Sequence, residues 1–175
     1  QFPEKTLKKN IIYFEKLIKF ILAHSNKNTQ VIFTSSASIL GSKKDYINKD
    51  ININILSFYD LNKVYAENVL EYNSAKGKNY NLLILRLTNV YGLSDNKSIQ
   101  KNRGFINKVI DNIINKKKIF IYGDGNYSRN FIHISDVISA ILLAIKHKKL
   151  LNKKIILNST NNLKLIDMIY KISNI

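Results

Sequence analysis

Two short apolar runs constrain this chain more than anything else in it: QVIFTSS at 30–36 and NLLILRL at 81–87, each preceded by a long stretch with helical spacing. In residues 5–24 the apolar groups fall at 11, 12, 14, 17, 18, 21 and 22 with lysines between them, the pattern of a helix with a wide buried face. A second helix is expected over 57–76, stopped near Gly77. Short apolar runs that end in small hydroxyl residues read as buried strands opening into loops. Helix, strand, helix, strand in that order predicts an α/β layering with parallel strands in the first half of the chain.

Residues 37–56 are irregular, and the NVYGLSDNKSIQKNRG stretch is a long loop. Beyond it the sequence predicts a helix in GFINKVIDNIINKKK with lysines in its last turn, and two strands in IFIYGDGNYSRNFIHI around an Asp-Gly turn. Ser135 is the expected N-cap of a helix with Asp136 in its first turn, and a strand (KIILN) and a helix (LKLIDMIYKI) follow. No repeat or proline-rich linker divides the 175 residues, whose 45% hydrophobic content suffices for a packed core. With no cysteine, disulfides and thiolate metal sites are excluded. The formal charge of +16 is carried by lysines scattered through every segment and by three arginines, with no nucleic-acid motif beside it, so neither a nucleic acid nor a membrane is expected as partner. The expected compartment is the cytoplasm.

Tyr59 and Lys63 stand four residues apart on the second helix, hence on one face. Spacing alone decides nothing: with 10 Tyr among many lysines, about 1.4 such pairs arise at random, and Tyr72 with Lys76 is another. The first pair differs by following, at 23 residues, the hydroxyl-bearing strand end FTSSASILG (33–41), an order that lets Ser36, Tyr59 and Lys63 converge at the lip of a sheet. The Tyr72 pair has no such strand before it and reads as surface.

At these residues the chain resembles the extended short-chain dehydrogenase/reductase family, in particular the NAD-dependent nucleotide-sugar epimerases of the UDP-glucose 4-epimerase type. Ser35, Ser36, Ala37 and Gly41 match that family's Ser-Ser-Ala-x-x-x-Gly strand end, and Tyr59 and Lys63 its Tyr-x-x-x-Lys. Arg86, Asn89, Tyr91 and Gly92 match Arg-x-x-Asn-x-Tyr-Gly, and Gly123-Asp-Gly125 through Arg129, His133 and Asp136 match the family's later Gly-Asp-Gly…Arg-Asp-Phe-Ile-His block. Departures are Asp60-Leu61-Asn62 between Tyr and Lys, Leu40 where a tyrosine is usual, and Asn130 where the family has Asp. The glycine-rich phosphate turn of a dinucleotide-binding fold is not among the 175 residues, and the resemblance is to the middle and later part of a family member. The expected organisation is therefore residues 1–93 as the later part of a Rossmann-like doubly wound domain, and 94–175 as part of a small α/β sugar-nucleotide lobe, with 131–150 open to rejoining the first. These residues in isolation are expected neither to retain NAD nor to catalyse.

The resemblance implies NAD as cofactor, with NADP left open, and a nucleotide-diphosphate sugar as substrate. It implies Tyr59 as base and then acid, Lys63 and Ser36 as its helpers, and Tyr59, Lys63, Ser35 and Leu87 on the cofactor. It places Ser36, Ser38, Asn89, Arg129 and Arg103 on the substrate, and implies a homodimer through helices 5–24 and 57–76. A free phenol is a poor base at neutral pH, and a nearby ammonium favours its ionised form. A guanidinium fork suits paired phosphate oxygens. Ser36-Ala37-Ser38 stand where dehydratase relatives carry Thr-Asp-Glu, so no carboxyl group is expected at the strand end, and epimerisation is favoured over dehydration. A nucleotide-sugar 4-ketoreductase or dehydratase of the same family is the second reading, and an inactive fragment the third.

Overall fold

The computed structural model describes residues 3–41, 52–77, 80–92, 104–121 and 123–174. In chain order the elements are α1 (Pro3–His24), β1 (Gln30–Ser36), a 3-10 turn (Ala37–Leu40), α2 (Phe58–Gly77), β2 (Asn81–Leu87), β3 (Asn89–Tyr91), α3 (Phe105–Ile114), β4 (Ser128–His133), α4 (Ile134–Lys146), a second 3-10 turn (Lys148–Leu150), β5 (Lys153–Leu157), β6 (Asn162–Lys164) and α5 (Leu165–Ser173). They form two compact units, Gln1–Leu87 with Ile141–Ile156, and Thr88–Ala140 with Leu157–Ile175.

The sheet of the first unit has the order β1-β2-β5, and β1 pairs with β2 in parallel from Gln30 opposite Asn81 to Ser36 opposite Leu87. Parallel strands need covering layers, and the apolar runs reflect that: Leu82, Leu83, Ile84 and Leu85 of β2 are all buried. Leu82 and Ile84 pack with Ile18 of α1, Leu70 of α2 and Tyr80, and each such side chain contributes about 1.5–3 kcal/mol by leaving water. Phe14 of α1 meets the rings of Phe33 and Tyr65 at centroid distances of 6.1 and 6.2 Å, and the Tyr65 hydroxyl donates to Glu15, tying α1 to α2. Burial raises the Tyr80 phenol above its usual range, and its hydroxyl donates to the Leu70 carbonyl at 2.7 Å.

In the second unit β4 lies between β3, parallel, and β6, antiparallel. Ile106, Phe131, Leu165 and Met168 form its core. Asn130, 2% exposed, is the polar centre of this unit. Its Oδ1 accepts from the Thr88 hydroxyl and the Ser159 N–H, and its Nδ2 donates to the Ser159 carbonyl at 2.9 Å and to Asn162 Oδ1 at 3.0 Å. An amide suits this site because it faces donors with one end and acceptors with the other. Asn130→Asp, although it restores the residue usual in the family, turns a carboxylate oxygen toward those acceptors. It is expected to lower stability by about 1–3 kcal/mol or more, read as a fall in the midpoint of thermal or denaturant unfolding; an unchanged midpoint would contradict the network.

Three sequence expectations are corrected. Of the two strands expected around the Asp-Gly turn one forms, β4, which pairs through Ser128–Asn130 with β6 and through Phe131–His133 with β3, while residues 118–121 carry no strand. The turn at 123–126 serves α5 instead of a hairpin: the Gly125 and Tyr127 carbonyls accept from the Ile166 and Leu165 N–H groups, satisfying donors at the start of that helix. α3 stops at Ile114, before its lysines, with Lys116 in the left-handed region at φ 51°. α4 starts at Ile134, so Ser135 lies inside its first turn, and the group accepting the Ser135 N–H is the Nδ1 of His133.

Candidate active site

The site is built where the carboxyl end of β1 meets the start of α2. Ser36 ends the strand with extended backbone and caps the following 3-10 turn, its hydroxyl accepting from the Ser38 N–H at 3.2 Å. The Ser36 and Ser38 hydroxyls are 2.8 Å apart, and Ser38 donates to Asp60 Oδ1 at 2.5 Å. The turn closes on Gly41, whose φ of +73° favours glycine and whose ideal Cβ would come within 2.9 Å of the Asn54 amide nitrogen.

Ser57, just before α2, and Asp60 form a reciprocal cap: the Asp60 N–H donates to Ser57 Oγ at 3.1 Å, and Ser57 Oγ donates to Asp60 Oδ2 at 2.7 Å. The Leu56 N–H also donates to Oδ2. Asp60 is 3% exposed, so a carboxylate is sealed into the junction with all its visible partners acting as donors. Sequence reasoning did not single Asp60 out, although the Ser57-x-x-Asp60 spacing is a capping-box signal. The residues at 36–38 carry no carboxyl group, and α2 brings the Asp60 carboxylate to Ser38.

Tyr59 precedes Asp60 and points outward, 55% exposed, its hydroxyl without a hydrogen-bond partner among the described residues. Lys63, one turn on, turns back to the strand: its Nζ donates to the Thr34 carbonyl at 2.9 Å and lies 5.1 Å from the Phe33 ring centroid and 5.8 Å from that of Tyr59. Burial pushes the Lys63 ammonium below its usual range, partly opposed by the carboxylate of Glu67. Thus Ser38 to Asp60 and Lys63 to Thr34 are two links that fix the tyrosine-bearing turn of α2 against the serine-bearing strand end.

Ser35, on the same strand, is buried with its Oγ unpartnered among the described residues, and Leu87 ends β2 opposite Ser36. In the second unit Asn89 is exposed and donates from Nδ2 to the Asn130 carbonyl at 2.8 Å. Arg129 is exposed on β4, its guanidinium 5.3 Å from the Tyr127 ring and without an acidic partner among the described residues. Arg103 lies outside the described residues. Arg86 is structural, forming a two-pronged pair with Glu67 (3.1 and 2.7 Å), and Glu67 is 1% exposed. Lys76 sits 5.0 Å from the ring of the exposed Tyr72, a surface contact. Among the described residues no His, Asp and Glu cluster could hold a metal, and no helix is long and apolar enough to cross a membrane.

A family model, the NAD dependent epimerase/dehydratase family, matches residues 1–158. The chain belongs to that family. It is 34% identical over 122 residues to a Methanocaldococcus jannaschii protein provisionally named UDP-glucose 4-epimerase, an alignment covering 68% of this chain and 39% of the relative. It is 28% identical to the UDP-glucose 4-epimerase of Lactobacillus helveticus, covering 99% of this chain and 58% of the relative. Its fold matches that of the UDP-glucose 4-epimerase of Thermotoga maritima solved with UDP-glucose, with a TM-score of 0.85 at 21% identity over 99% of this chain and 55% of the other. The chain spans 39% and 58% of the lengths of the two curated relatives. The doubly wound α/β class expected from the sequence, Rossmann-like with parallel strands, is the one observed.

NAD is the cofactor of the family. The residues present fit its ribose: Lys63 spends one of its three donors on Thr34, which leaves two for vicinal hydroxyls, and the Tyr59 ring, centred 5.8 Å from the Lys63 Nζ, carries a hydroxyl with no hydrogen-bond partner among the described residues.

Proposed function

We propose that the protein takes part in NAD-dependent epimerisation of a nucleotide-diphosphate sugar through a transient 4-keto intermediate. The observation that carries the reading is the junction of β1 and α2, where a tyrosine whose hydroxyl has no partner among the described residues stands one helical turn from a lysine tethered to the strand that ends in Ser36. Bound NAD supplies a hydride acceptor that can return what it takes. Tyr59 removes the proton of the sugar hydroxyl as the carbonyl forms and gives one back as the alcohol is restored, the ordinary work of a general base and acid. Lys63 favours the phenolate by its charge and holds the ribose. Ser36 hydrogen-bonds the reacting oxygen. Arg129, with no acidic partner among the described residues, grips the diphosphate, and Asn89 contacts the nucleotide phosphate. Exposed Ile12, Tyr13, Leu17 and Phe20 on α1 supply an apolar face for the two-fold contact that the reading includes.

The test is to express the complete reading frame that contains these residues and to incubate it with NAD and a panel of UDP- and dTDP-hexoses, following C4 configuration by NMR. Interconversion of C4 epimers without net change in reduced cofactor is the expected result. Stoichiometric consumption of NADH with a 4-keto sugar would overturn the reading in favour of a reductase, and loss of water in favour of a dehydratase.

A further inference from the structure

Tyr59, Lys63 and Glu67 recur at intervals of four along α2 and so share one of its faces. The first two have a part in the reading above. Glu67 has none, although it is 1% exposed and sealed beneath the helix. Where its carboxylate lies follows from the register of the sheet. Val31 and Phe33 of β1 and Leu82 and Ile84 of β2 pack in one core with α1 and α2, and alternation along the strands puts Ser35 and Arg86 on that same face. Lys63 is anchored on β1, at the Thr34 carbonyl, and Glu67 on β2, at the Arg86 guanidinium. Arg86 stands opposite Ser35, the residue after Thr34, and neighbouring strands run about 4.8 Å apart. The ammonium and the carboxylate are therefore held at one level of the sheet, on adjacent strands and under one helix. The Ser35 hydroxyl on that level has no hydrogen-bond partner among the described residues, so the two heads act on each other by charge and not through a hydroxyl bridge.

Burial pushes the Lys63 ammonium below its usual range, and the charge that opposes burial is the Glu67 carboxylate. The other charged groups around the lysine are engaged elsewhere. Asp60, on the preceding turn of α2, accepts from Ser38, Ser57 and the Leu56 N–H. Arg86 is the one charged residue of β2, and it is held by Glu67 itself. From β5, Lys154 reaches Glu67 only to 3.9 Å and forms its close pair with Glu71 at 2.8 Å. From α1, Glu15 accepts from the Tyr65 hydroxyl. β1 and the 3-10 turn after it carry no acidic or basic side chain.

We infer that Glu67 is a positioning residue that acts through Lys63: clamped by Arg86, its carboxylate supplies the fixed negative charge that keeps the lysine cationic beneath α2. This rests on the nucleotide-sugar reading and deepens it by naming what sustains the charge on which the Tyr59 phenolate depends. Without Glu67, burial acts on Lys63 unopposed and the ammonium gives up its proton at a lower pH. Above that pH Tyr59 faces a neutral amine. The carboxylate thus sets the alkaline limit of the site.

The experiment titrates Lys63 directly in the complete protein, with its NAD content held the same in parent and variants. Competitive acetylation by acetic anhydride over a pH series, read by mass spectrometry of the peptide that holds Lys63, gives the pH at which that amine becomes nucleophilic and needs no turnover. Glu67→Gln keeps the shape of the side chain and an oxygen for Arg86 while removing the charge. Its Lys63 midpoint should fall by about one pH unit, and the alkaline limb of kcat/KM for the nucleotide sugar should fall with it. Should Glu67→Gln fail to fold, Arg86→Met combined with Glu67→Leu replaces the pair by apolar groups, and its Lys63 midpoint should fall as well because the opposing charge is gone. A purely structural role would lower the unfolding midpoint and leave the Lys63 titration in place. That result, in whichever variant folds, overturns the inference and leaves the nucleotide-sugar reading standing. A lowered Lys63 midpoint in variants of a protein whose parent form interconverts no nucleotide sugar would overturn that reading, and with it the part of Glu67 in catalysis.

Discussion

Tyr59→Phe is expected to lower nucleotide-sugar turnover by about 10²–10⁴-fold, the range associated with loss of a general base. The change removes one oxygen that makes no hydrogen bond to any described residue and leaves a ring that is 55% exposed, so stability and Lys63's link to Thr34 should survive. Affinity for the sugar nucleotide should stay within about threefold, because the group acts on the transition state more than on ground-state binding. Steady-state kinetics together with calorimetric titration of the inactive variant separate the two quantities. Turnover within about tenfold of the parent would remove Tyr59 from the mechanism, and a large loss of affinity with little loss of kcat would make it a binding residue instead.

The largest expected effect on stability is that of Arg86→Met. Glu67 is almost fully buried in α2, and the guanidinium of Arg86 on β2 meets both of its carboxylate oxygens. Lys154 approaches the same carboxylate at 3.9 Å but forms its close pair with Glu71 at 2.8 Å, so it does not replace the arginine. Leaving a buried carboxylate without its partner costs about 3–5 kcal/mol, a large share of the roughly 5–15 kcal/mol that holds a domain folded. Chemical denaturation of the single variant should show this as a lower midpoint. Arg86→Met combined with Glu67→Leu should recover most of the loss, since replacing both members of a buried pair by apolar groups is often nearly neutral. Equal losses in the single and double variants would mean that Arg86 acts through packing and not through its charge.

These two residues show how differently the chain discloses its parts. Tyr59 and Lys63 were legible because they lie four apart on a helix, and helical periodicity projects such residues onto one face whatever surrounds them. β1 and β2 were legible for a similar reason: a run such as LLIL has no polar side to show to water and must be covered on both faces. Arg86 was recognisable as structural, but its partner was not. Glu67 is 19 residues away on another element, and nothing in the sequence distinguishes it from the half-buried Glu71 one turn along the same helix.

Local pattern therefore determined the α/β class, the places of the helices and strands of the first unit, and the shared helical face of Tyr59 and Lys63. Tertiary structure alone decided that Asp60 reaches across to Ser38 and that Asn130 gathers donors and acceptors from Thr88, Ser159 and Asn162. It also decided that β4 takes β3 and β6 as its partners and not the segment just before the Asp-Gly turn. The physical reason is common to all three. Periodicity reports which side of an element avoids water, and that is a property of neighbouring residues. The partner of a buried polar group or a strand edge is fixed by which elements pack together, and the free energy that selects it is shared among residues far apart in the chain.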